Sequence, residues 1–148
     1  MIYWFTGQPE HGKTTLAKML YNHLINEYGV TNVFMIDGDD IRDLFKNTDY
    51  SINGRVQNVN IAQKIAHYLH SLDKIVIVSI VSPYIDQRED FKEKIGKGII
   101  EFYVHSSVPK SRDKNKSIAY IAPKDNYCDI NTTIENEQES FERIKHYI

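Results

Sequence analysis

The residues from position 7 to position 14 constrain the fold of this chain more than any other stretch. They read Gly7-Gln8-Pro9-Glu10-His11-Gly12-Lys13-Thr14, in which two spaced glycines precede a lysine and a hydroxyl residue. An apolar, β-branched and aromatic run comes before them at 2–5, and apolar residues at helical spacing follow at 15–28. A strand that turns through glycines into a helix points backbone N–H groups and the positive end of the helix dipole at one spot. The stretch therefore predicts a phosphate-binding loop between a buried strand and a helix.

The side chains of this predicted loop suit a nucleoside triphosphate. Lys13 would bridge the β- and γ-phosphates, and the Thr14 hydroxyl would bind the Mg²⁺ ion that accompanies them. The backbone N–H groups of the loop would complete the phosphate site. The alternative interpretation is a glycine turn that only joins two core elements.

Length and composition limit the classes of protein to which the chain can belong. Its 148 residues predict a single domain, 1–148, around one hydrophobic core. The formal net charge of −2 gives no global basic field, so we do not expect nucleic-acid binding. The single cysteine, Cys128, excludes a disulfide framework and a zinc quartet, and it predicts a small buried side chain. The histidines are scattered, so we expect no metal site built from protein ligands alone.

The apolar runs are too short for a membrane protein. The longest, 75–81, cannot cross a bilayer, and the first strand begins too early to leave room for a signal peptide. We therefore expect a soluble, cytoplasmic protein without a membrane partner.

Alternating strand and helix patterns predict the order of the fold. We expect strands at 2–5, 32–36, 75–81, 99–104 and 128–130, and helices at 15–28, 39–45, 55–72, 86–94 and 134–148. Asp39 or Asp40 is expected to cap the second helix, and residues 47–53 are expected to form a loop. This alternation predicts a parallel, five-stranded sheet with helices on both faces, which is a three-layer α/β/α fold.

Polar residues follow the predicted strands at the ends where parallel sheets bind their ligands. Asp37, Asp39 and Asp40 follow the second strand, and Ser82 follows the third. These side chains predict a site at that edge of the sheet. The alternative interpretation of the three carboxylates is helix capping together with solvated acid.

Cations are expected on two sides of the same strand ends. Arg55 and Asn58 share one face at the start of a helix, and Arg88 would point back over the strand ends. The segment 109–117 holds four basic residues and almost no apolar one, which predicts a mobile basic lid. A solvated loop is the alternative interpretation of that segment.

Several motifs occur in an order known from one family. They are the phosphate loop, Asp37-Gly38-Asp39-Asp40-Ile41-Arg42, Tyr50 with Arg55 and Asn58, Ser82-Pro83-Tyr84 with Arg88, and Tyr120-Ile121-Ala122-Pro123. Together they resemble adenylylsulfate kinase, which transfers the γ-phosphoryl group of ATP to the 3′-hydroxyl of adenosine 5′-phosphosulfate (APS). The resemblance implies a P-loop NTPase fold of the nucleoside-kinase type, ATP and Mg²⁺ as cofactors, and small nucleotides as partners. It leaves a homodimer open.

The resemblance also implies roles for individual side chains. The implied catalytic residues are Lys13, Asp37 and Asp39, of which Asp39 would orient or deprotonate the acceptor hydroxyl and Asp37 would join Thr14 in the Mg²⁺ shell. The implied acceptor-binding residues are Asp39, Arg42, Tyr50, Arg55, Asn58, Val81 and Ser82. Arg42, Arg55 and Asn58 would hold the phosphosulfate, and Tyr50 would stack on the adenine. On the ATP side, the resemblance implies the phosphate loop, Thr15, Arg112 and Ala122.

The chain departs from the family pattern at several positions. The segment at about 106–120 is much shorter than the family's lid, so we expect a reduced lid. Glu10 stands where the family has glycine, which predicts a positive φ at a residue with a side chain. Asp40 replaces an asparagine, and Ile85 replaces an arginine. Two alternatives stay open: a same-fold kinase that phosphorylates another nucleotide with a diphosphate-like group, and a nucleotide-binding protein without catalysis.

Overall fold

Strands and helices alternate along the chain in the computed structural model, which describes residues 1–108 and 119–148. The strands are β1 (Ile2–Thr6), β2 (Val33–Asp37), β3 (Ile75–Ser79), β4 (Ile99–His105) and β5 (Tyr127–Asn131). The helices are α1 (Lys13–Asn26), α2 (Gly38–Phe45), α3 (Ile52–Ser71), α4 (Ile85–Ile95) and α5 (Glu137–Lys145), with a 3-10 turn at Gly96–Gly98. None of the helices in the described ranges is long and apolar enough to cross a bilayer. The expected basic lid falls almost entirely outside these ranges.

All five strands lie parallel in one sheet, in the order β2-β3-β1-β4-β5. β1 lies at the centre because every residue from Ile2 to Thr6 is buried, as a strand covered on both faces must be. Parallel neighbours need crossover connections, and the helices supply them. The predicted five-stranded α/β/α fold is confirmed. This arrangement brings the carboxyl ends of all the strands to one edge of the sheet.

Alternating side chains of the strands build one apolar core on each face of the sheet. Phe5 and Phe102 stack with 4.7 Å between ring centres on the face covered by α1 and α5. Trp4 and Phe91 lie 5.3 Å apart on the face covered by α2, α3 and α4. Cys128 is buried in the first core, as the sequence predicts, and burial raises the pKa of its thiol. Both faces of β1 are therefore filled, which leaves its carboxyl end for function.

Most element boundaries differ from the sequence prediction by a few residues, and two of the differences have a local explanation. α3 begins at Ile52, inside the predicted loop, because the Ser51 hydroxyl accepts the backbone N–H three residues on and caps the helix. β3 ends at Ser79 rather than at residue 81, because its partner strand β2 ends at Asp37, the residue paired with Ser79. The shorter β3 leaves the next residues free to form a wall of the site described below.

Gly7 follows β1 in a conformation that a side chain would oppose. Its φ is +143°, and a Cβ atom placed there would lie 1.9 Å from the carbonyl oxygen of Val104. Gly29 also has a positive φ, +63°, yet no atom lies within 4 Å of the corresponding position. A side chain at Gly7 would therefore clash with backbone atoms, whereas a side chain at Gly29 would meet only the strain of a left-handed conformation.

We expect Gly7→Ala to lower the free energy of unfolding by about 3 kcal/mol or more, and Gly29→Ala by about 1 kcal/mol. The first change forces β1 and β4 apart, because a backbone carbonyl cannot rotate away as a side chain can. Urea unfolding followed by circular dichroism measures both values. Equal losses in the two variants would contradict the close approach of the loop to β4.

Candidate functional site

A cleft opens at the carboxyl edge of the sheet, where the predicted phosphate loop faces the starts of α2 and α3. Its volume is about 770 Å³ including the open mouth. It is lined by Pro9, Glu10, Lys13, Thr14, Asp37, Gly38, Asp39, Arg42, Tyr50, Arg55, Asn58, Val59, Ser79, Ile80, Val81, Ser82 and Pro83. Every residue predicted for the acceptor side is among them. Their roles in binding stay predictions.

The phosphate loop leads into α1 with positive φ angles at two positions. Gly12 has φ +100° and precedes the first residue of α1. Glu10 has φ +59°, which confirms the expectation of a positive φ at this departure from the family pattern. The Lys13 ammonium donates to the Gln8 carbonyl at 2.7 Å, and the residue is only 7% exposed. The ammonium is therefore held inside the loop, where a phosphate oxygen can take the place of that carbonyl.

The outer side of the loop is tied to the ends of β4 and β5. His11 Nδ1 accepts the Ser106 N–H at 3.2 Å, and the His11 carbonyl accepts the Thr132 hydroxyl at 3.1 Å. These bonds hold the loop from behind while its inner side faces the cleft. Sequence reasoning identified no partner for His11, because contacts between loops at one sheet edge leave no periodic pattern.

Asp37 and Thr14 meet at the base of the cleft. The Thr14 hydroxyl donates to Asp37 Oδ2 at 2.8 Å and lies 3.0 Å from the Ser79 hydroxyl. The other oxygen of Asp37 accepts the Asp39 N–H at 2.9 Å and so caps α2. The expectation of a cap at Asp39 or Asp40 was wrong, because Asp37 is the residue that keeps extended backbone before the helix.

These oxygen atoms fit the predicted Mg²⁺ site. Mg²⁺ takes oxygen ligands and usually keeps several waters and substrate phosphates in its shell, so one carboxylate and one hydroxyl suffice. Within residues 1–108 and 119–148, no group of three or more His, Cys, Asp or Glu could form a separate metal site. Ser79 adds a second hydroxyl that sequence reasoning missed inside an apolar strand. Its place at the end of that strand was the available signal.

Two guanidinium groups share one aromatic ring in the part of the cleft that is predicted to bind the acceptor. The Arg42 guanidinium carbon lies 4.2 Å from the centre of the Tyr50 ring, and that of Arg55 lies 5.6 Å from it. Arg42 also donates to the Asp49 carbonyl at 2.9 Å, and Arg55 donates to the Tyr50 carbonyl at 2.9 Å. Burial lowers the pKa of Arg42, and the neighbouring Arg55 charge lowers it further. Two cations brought together in this way favour an anion beside them.

The Asn58 amide is oriented by a single backbone contact. Its nitrogen donates to the Gly38 carbonyl at 3.1 Å. Because a carbonyl can only accept, this bond fixes which end of the amide faces it. The amide oxygen is buried and receives no hydrogen bond from any described residue. Asn58 therefore offers a hydrogen-bond acceptor, rather than a donor, to what binds in the cleft.

Val81 and Ser82 form a wall of the cleft beside the start of the phosphate loop, where the Gly7 N–H donates to the Val81 carbonyl at 3.4 Å. The Thr6 hydroxyl donates to the Val81 carbonyl at 2.8 Å, and Arg88 donates to the Ser82 carbonyl at 2.6 Å. Arg88 is buried behind this wall, so the expectation that it points over the strand ends was wrong. Its buried partner Glu101, at 2.8 Å, explains the inward direction.

Two of the residues predicted for the ATP side, Thr15 and Ala122, are not among the described residues that line the cleft. Thr15 is exposed on α1. Ala122 follows Ile121, whose N–H donates to the Pro83 carbonyl at 3.0 Å on the outer side of the wall. Arg112 lies outside the described residues. The ATP-side roles of these three residues stay predictions.

The parallel sheet, the phosphate loop and the cleft at the strand ends define the class of this protein as a P-loop protein of the α/β/α type. The model of the adenylylsulphate kinase family matches residues 1–142, so the chain belongs to that family. The resemblance drawn from the motifs is thereby confirmed.

Two curated relatives carry different names. An adenylyl-sulfate kinase of Buchnera aphidicola is 30% identical over 120 residues, which cover 78% of this chain and 57% of that protein. A cytidine diphosphoramidate kinase of Campylobacter jejuni is 31% identical over 103 residues, which cover 70% of this chain and 59% of that protein. The chain thus spans less than two thirds of the length of either relative.

A solved structure shows the same fold. An APS kinase of Mycobacterium tuberculosis in complex with AMPPNP and APS has a TM-score of 0.77 to this chain at 22% identity. The match covers 97% of this chain and 95% of that one. This likeness supports the sheet topology and the placement of the loop.

Proposed function

We propose that this protein transfers the γ-phosphoryl group of ATP to the 3′-hydroxyl of APS and forms 3′-phosphoadenosine 5′-phosphosulfate. The observation that carries the proposal is a single cleft that joins a phosphate loop to a pair of arginines. A triphosphate at Lys13 and an acceptor anion at Arg42 and Arg55 would lie in the same cleft. The name of the Buchnera relative and the ligands of the Mycobacterium structure support the same reaction.

The phosphate loop would hold the donor. Lys13 would exchange the Gln8 carbonyl for phosphate oxygens, whose charge its ammonium stabilises as the phosphoryl group transfers. The loop N–H groups and the α1 dipole add to this positive field. Thr14 and Asp37 would hold Mg²⁺, which supplies charge neutralisation at the phosphates when it is bound.

Asp39 is the carboxylate best placed to act on the acceptor hydroxyl. Asp37 and Asp39 both line the cleft, and Asp37 is the one that contacts the Thr14 hydroxyl as the proposed Mg²⁺ ligand, which leaves Asp39 for the acceptor. A carboxylate within hydrogen-bond reach can accept the hydroxyl proton as the new P–O bond forms. The proton then resides on Asp39. The bond between the γ-phosphorus and the β–γ bridging oxygen breaks, and ADP leaves with that oxygen.

A second candidate acceptor is a nucleotide whose terminal group carries an N–H, of the cytidine diphosphoramidate type. The Asn58 amide oxygen, oriented by the Gly38 carbonyl, pairs with N–H or O–H groups and repels the oxygens of a phosphosulfate. APS would have to meet it with a ribose hydroxyl or the adenine amine. The name of the Campylobacter relative favours this candidate independently.

An acceptor panel tests the function and separates the two candidates. The protein is incubated with ATP and Mg²⁺ and with APS, cytidine diphosphoramidate or adenosine 5′-phosphate, and ADP release and product mass are followed. We expect ADP release that depends on APS and no transfer to adenosine 5′-phosphate. Transfer to cytidine diphosphoramidate alone would replace the first candidate by the second. If none of the three compounds caused ADP release, both candidates would be refuted.

We expect Asp39→Asn to lower kcat by about 10²-fold while the affinity for AMPPNP stays within a few-fold. The amide keeps the shape of the side chain but cannot accept the hydroxyl proton. Asp40→Asn is the matched control, because Asp40 is exposed on the same helix and is not among the described residues that line the cleft. If Asp40→Asn lost turnover and Asp39→Asn kept it, the assignment of the base would be wrong.

We expect Arg55→Ala to weaken acceptor binding by about 2–3 kcal/mol, the usual loss for a charge-assisted hydrogen bond to an anion. Calorimetry with the acceptor in the presence of ADP and Mg²⁺ measures the change, and AMPPNP affinity should barely move. Lys97→Ala removes one exposed positive charge at the opposite edge of the sheet and serves as the control. Equal weakening in both variants would show that only the overall charge matters.

A further inference from the structure

Buried hydrogen bonds behind the cleft join segments that the sequence motifs treat separately. Arg88 is 2% exposed, and its guanidinium donates to the Ser82 carbonyl and to the Ile121 carbonyl, each at 2.6 Å. Its Nε donates to Glu101 Oε1 at 2.8 Å. One side chain on α4 thus binds the cleft wall, the Ile121 carbonyl and β4.

A second part of this network starts at Thr6, the last residue of β1 before the phosphate loop. Its hydroxyl donates to the Val81 carbonyl at 2.8 Å and lies 2.9 Å from the Tyr120 hydroxyl. The Tyr120 ring stacks on Tyr103 and has the Arg88 guanidinium carbon 5.3 Å from its centre. Burial raises the pKa of Tyr120, which keeps its hydroxyl protonated and able to share this bond. The phosphate loop and the acceptor wall are therefore linked through the same buried groups.

Ser82 needs such support because its backbone is strained. Its φ is +44°, in the left-handed region that residues with a side chain rarely adopt, and the residue is fully buried. A conformation of this kind persists only where the surrounding contacts determine it. Arg88 supplies a charged donor to the Ser82 carbonyl, and the Ile121 N–H holds the next carbonyl, that of Pro83, at 3.0 Å.

We propose that Arg88 is a positioning residue for phosphoryl transfer, which acts through Ser82 and touches neither substrate. It keeps the Ser82 carbonyl engaged behind the wall, so that the wall stays in the shape against which the acceptor binds. A lysine cannot replace it, because one ammonium on a flexible stem does not reproduce the planar fork that serves two carbonyls and a carboxylate. The inference rests on the proposed function, since this wall matters for catalysis only if the cleft holds an acceptor.

The test compares Arg88→Lys with Lys92→Met. Lys92 binds the same carboxylate, Glu101, at 2.7 Å, but its other partners are Glu89 and the Asp125 carbonyl, not Ser82. We expect Arg88→Lys to raise the KM for the acceptor about tenfold and to lower kcat, with AMPPNP affinity within about twofold. Lys92→Met should lower Tm and leave both kinetic constants unchanged.

A double variant guards against simple unfolding. Arg88→Met with Glu101→Met removes both members of the buried pair and leaves no uncompensated charge, a change that buried pairs often tolerate. We expect the same rise in acceptor KM as in Arg88→Lys. A wild-type KM in either folded variant, or an equal rise in Lys92→Met, overturns the inference.

Amide hydrogen exchange provides a readout that does not depend on activity. The Ile121 N–H should lose at least about tenfold protection in Arg88→Lys and in the double variant, but not in Lys92→Met. If the unaltered protein transfers phosphate to no acceptor, the proposed function fails and the role in catalysis fails with it. Lost protection would then still support the wall-holding part of the inference. Unchanged protection would overturn that part too, whatever the activity.

Discussion

The Asp37 carboxylate holds together the elements that make the cleft. One of its oxygens caps α2, and the other accepts the Thr14 hydroxyl at the start of α1, beside Ser79 at the end of β3. α2 carries Asp39 and Arg42, so the cap also sets where these side chains stand relative to the phosphate loop. An unpaired carboxylate at this depth would be costly, and both oxygens are used. The rest of the site depends on this one side chain.

Local charge, rather than the net charge of the chain, prepares the cleft for anions. The formal net charge is −2, yet Arg42 and Arg55 converge on the Tyr50 ring and Lys13 lies within the loop opposite. Backbone carbonyls hold all three cations, and the Tyr50 ring holds the two arginines. These contacts place three positive groups in one cleft, although the chain as a whole carries a net negative charge.

The sequence predicted those features of the fold and the site that depend on residues close together in the chain. The glycine spacing and the periodicity at 15–28 located β1, the loop and α1, and the motif resemblance selected the side chains that line the cleft. The features that the sequence did not predict depend on contacts between residues that are distant in sequence. The direction of Arg88 is set by Glu101 on another strand, and helical periodicity gives no information about such a partner. Likewise, Asp37 caps α2 because it is the residue that keeps an extended backbone before the helix. Asp37, Asp39 and Asp40 have the same side chain, so the sequence does not show which of them has that conformation.

The two apolar cores on opposite faces of the central sheet have an evolutionary consequence. The phosphate loop continues into α1, which packs on one face, whereas α2 and α3, which carry Asp39, Arg42, Arg55 and Asn58, pack on the other. Substitutions that shift α2 or α3 can therefore accumulate without repacking the core under α1. The parts of the cleft on α2 and α3 can thus diverge while the phosphate loop is kept. Two relatives that are named for different acceptors are in keeping with such a division between the two faces of one sheet.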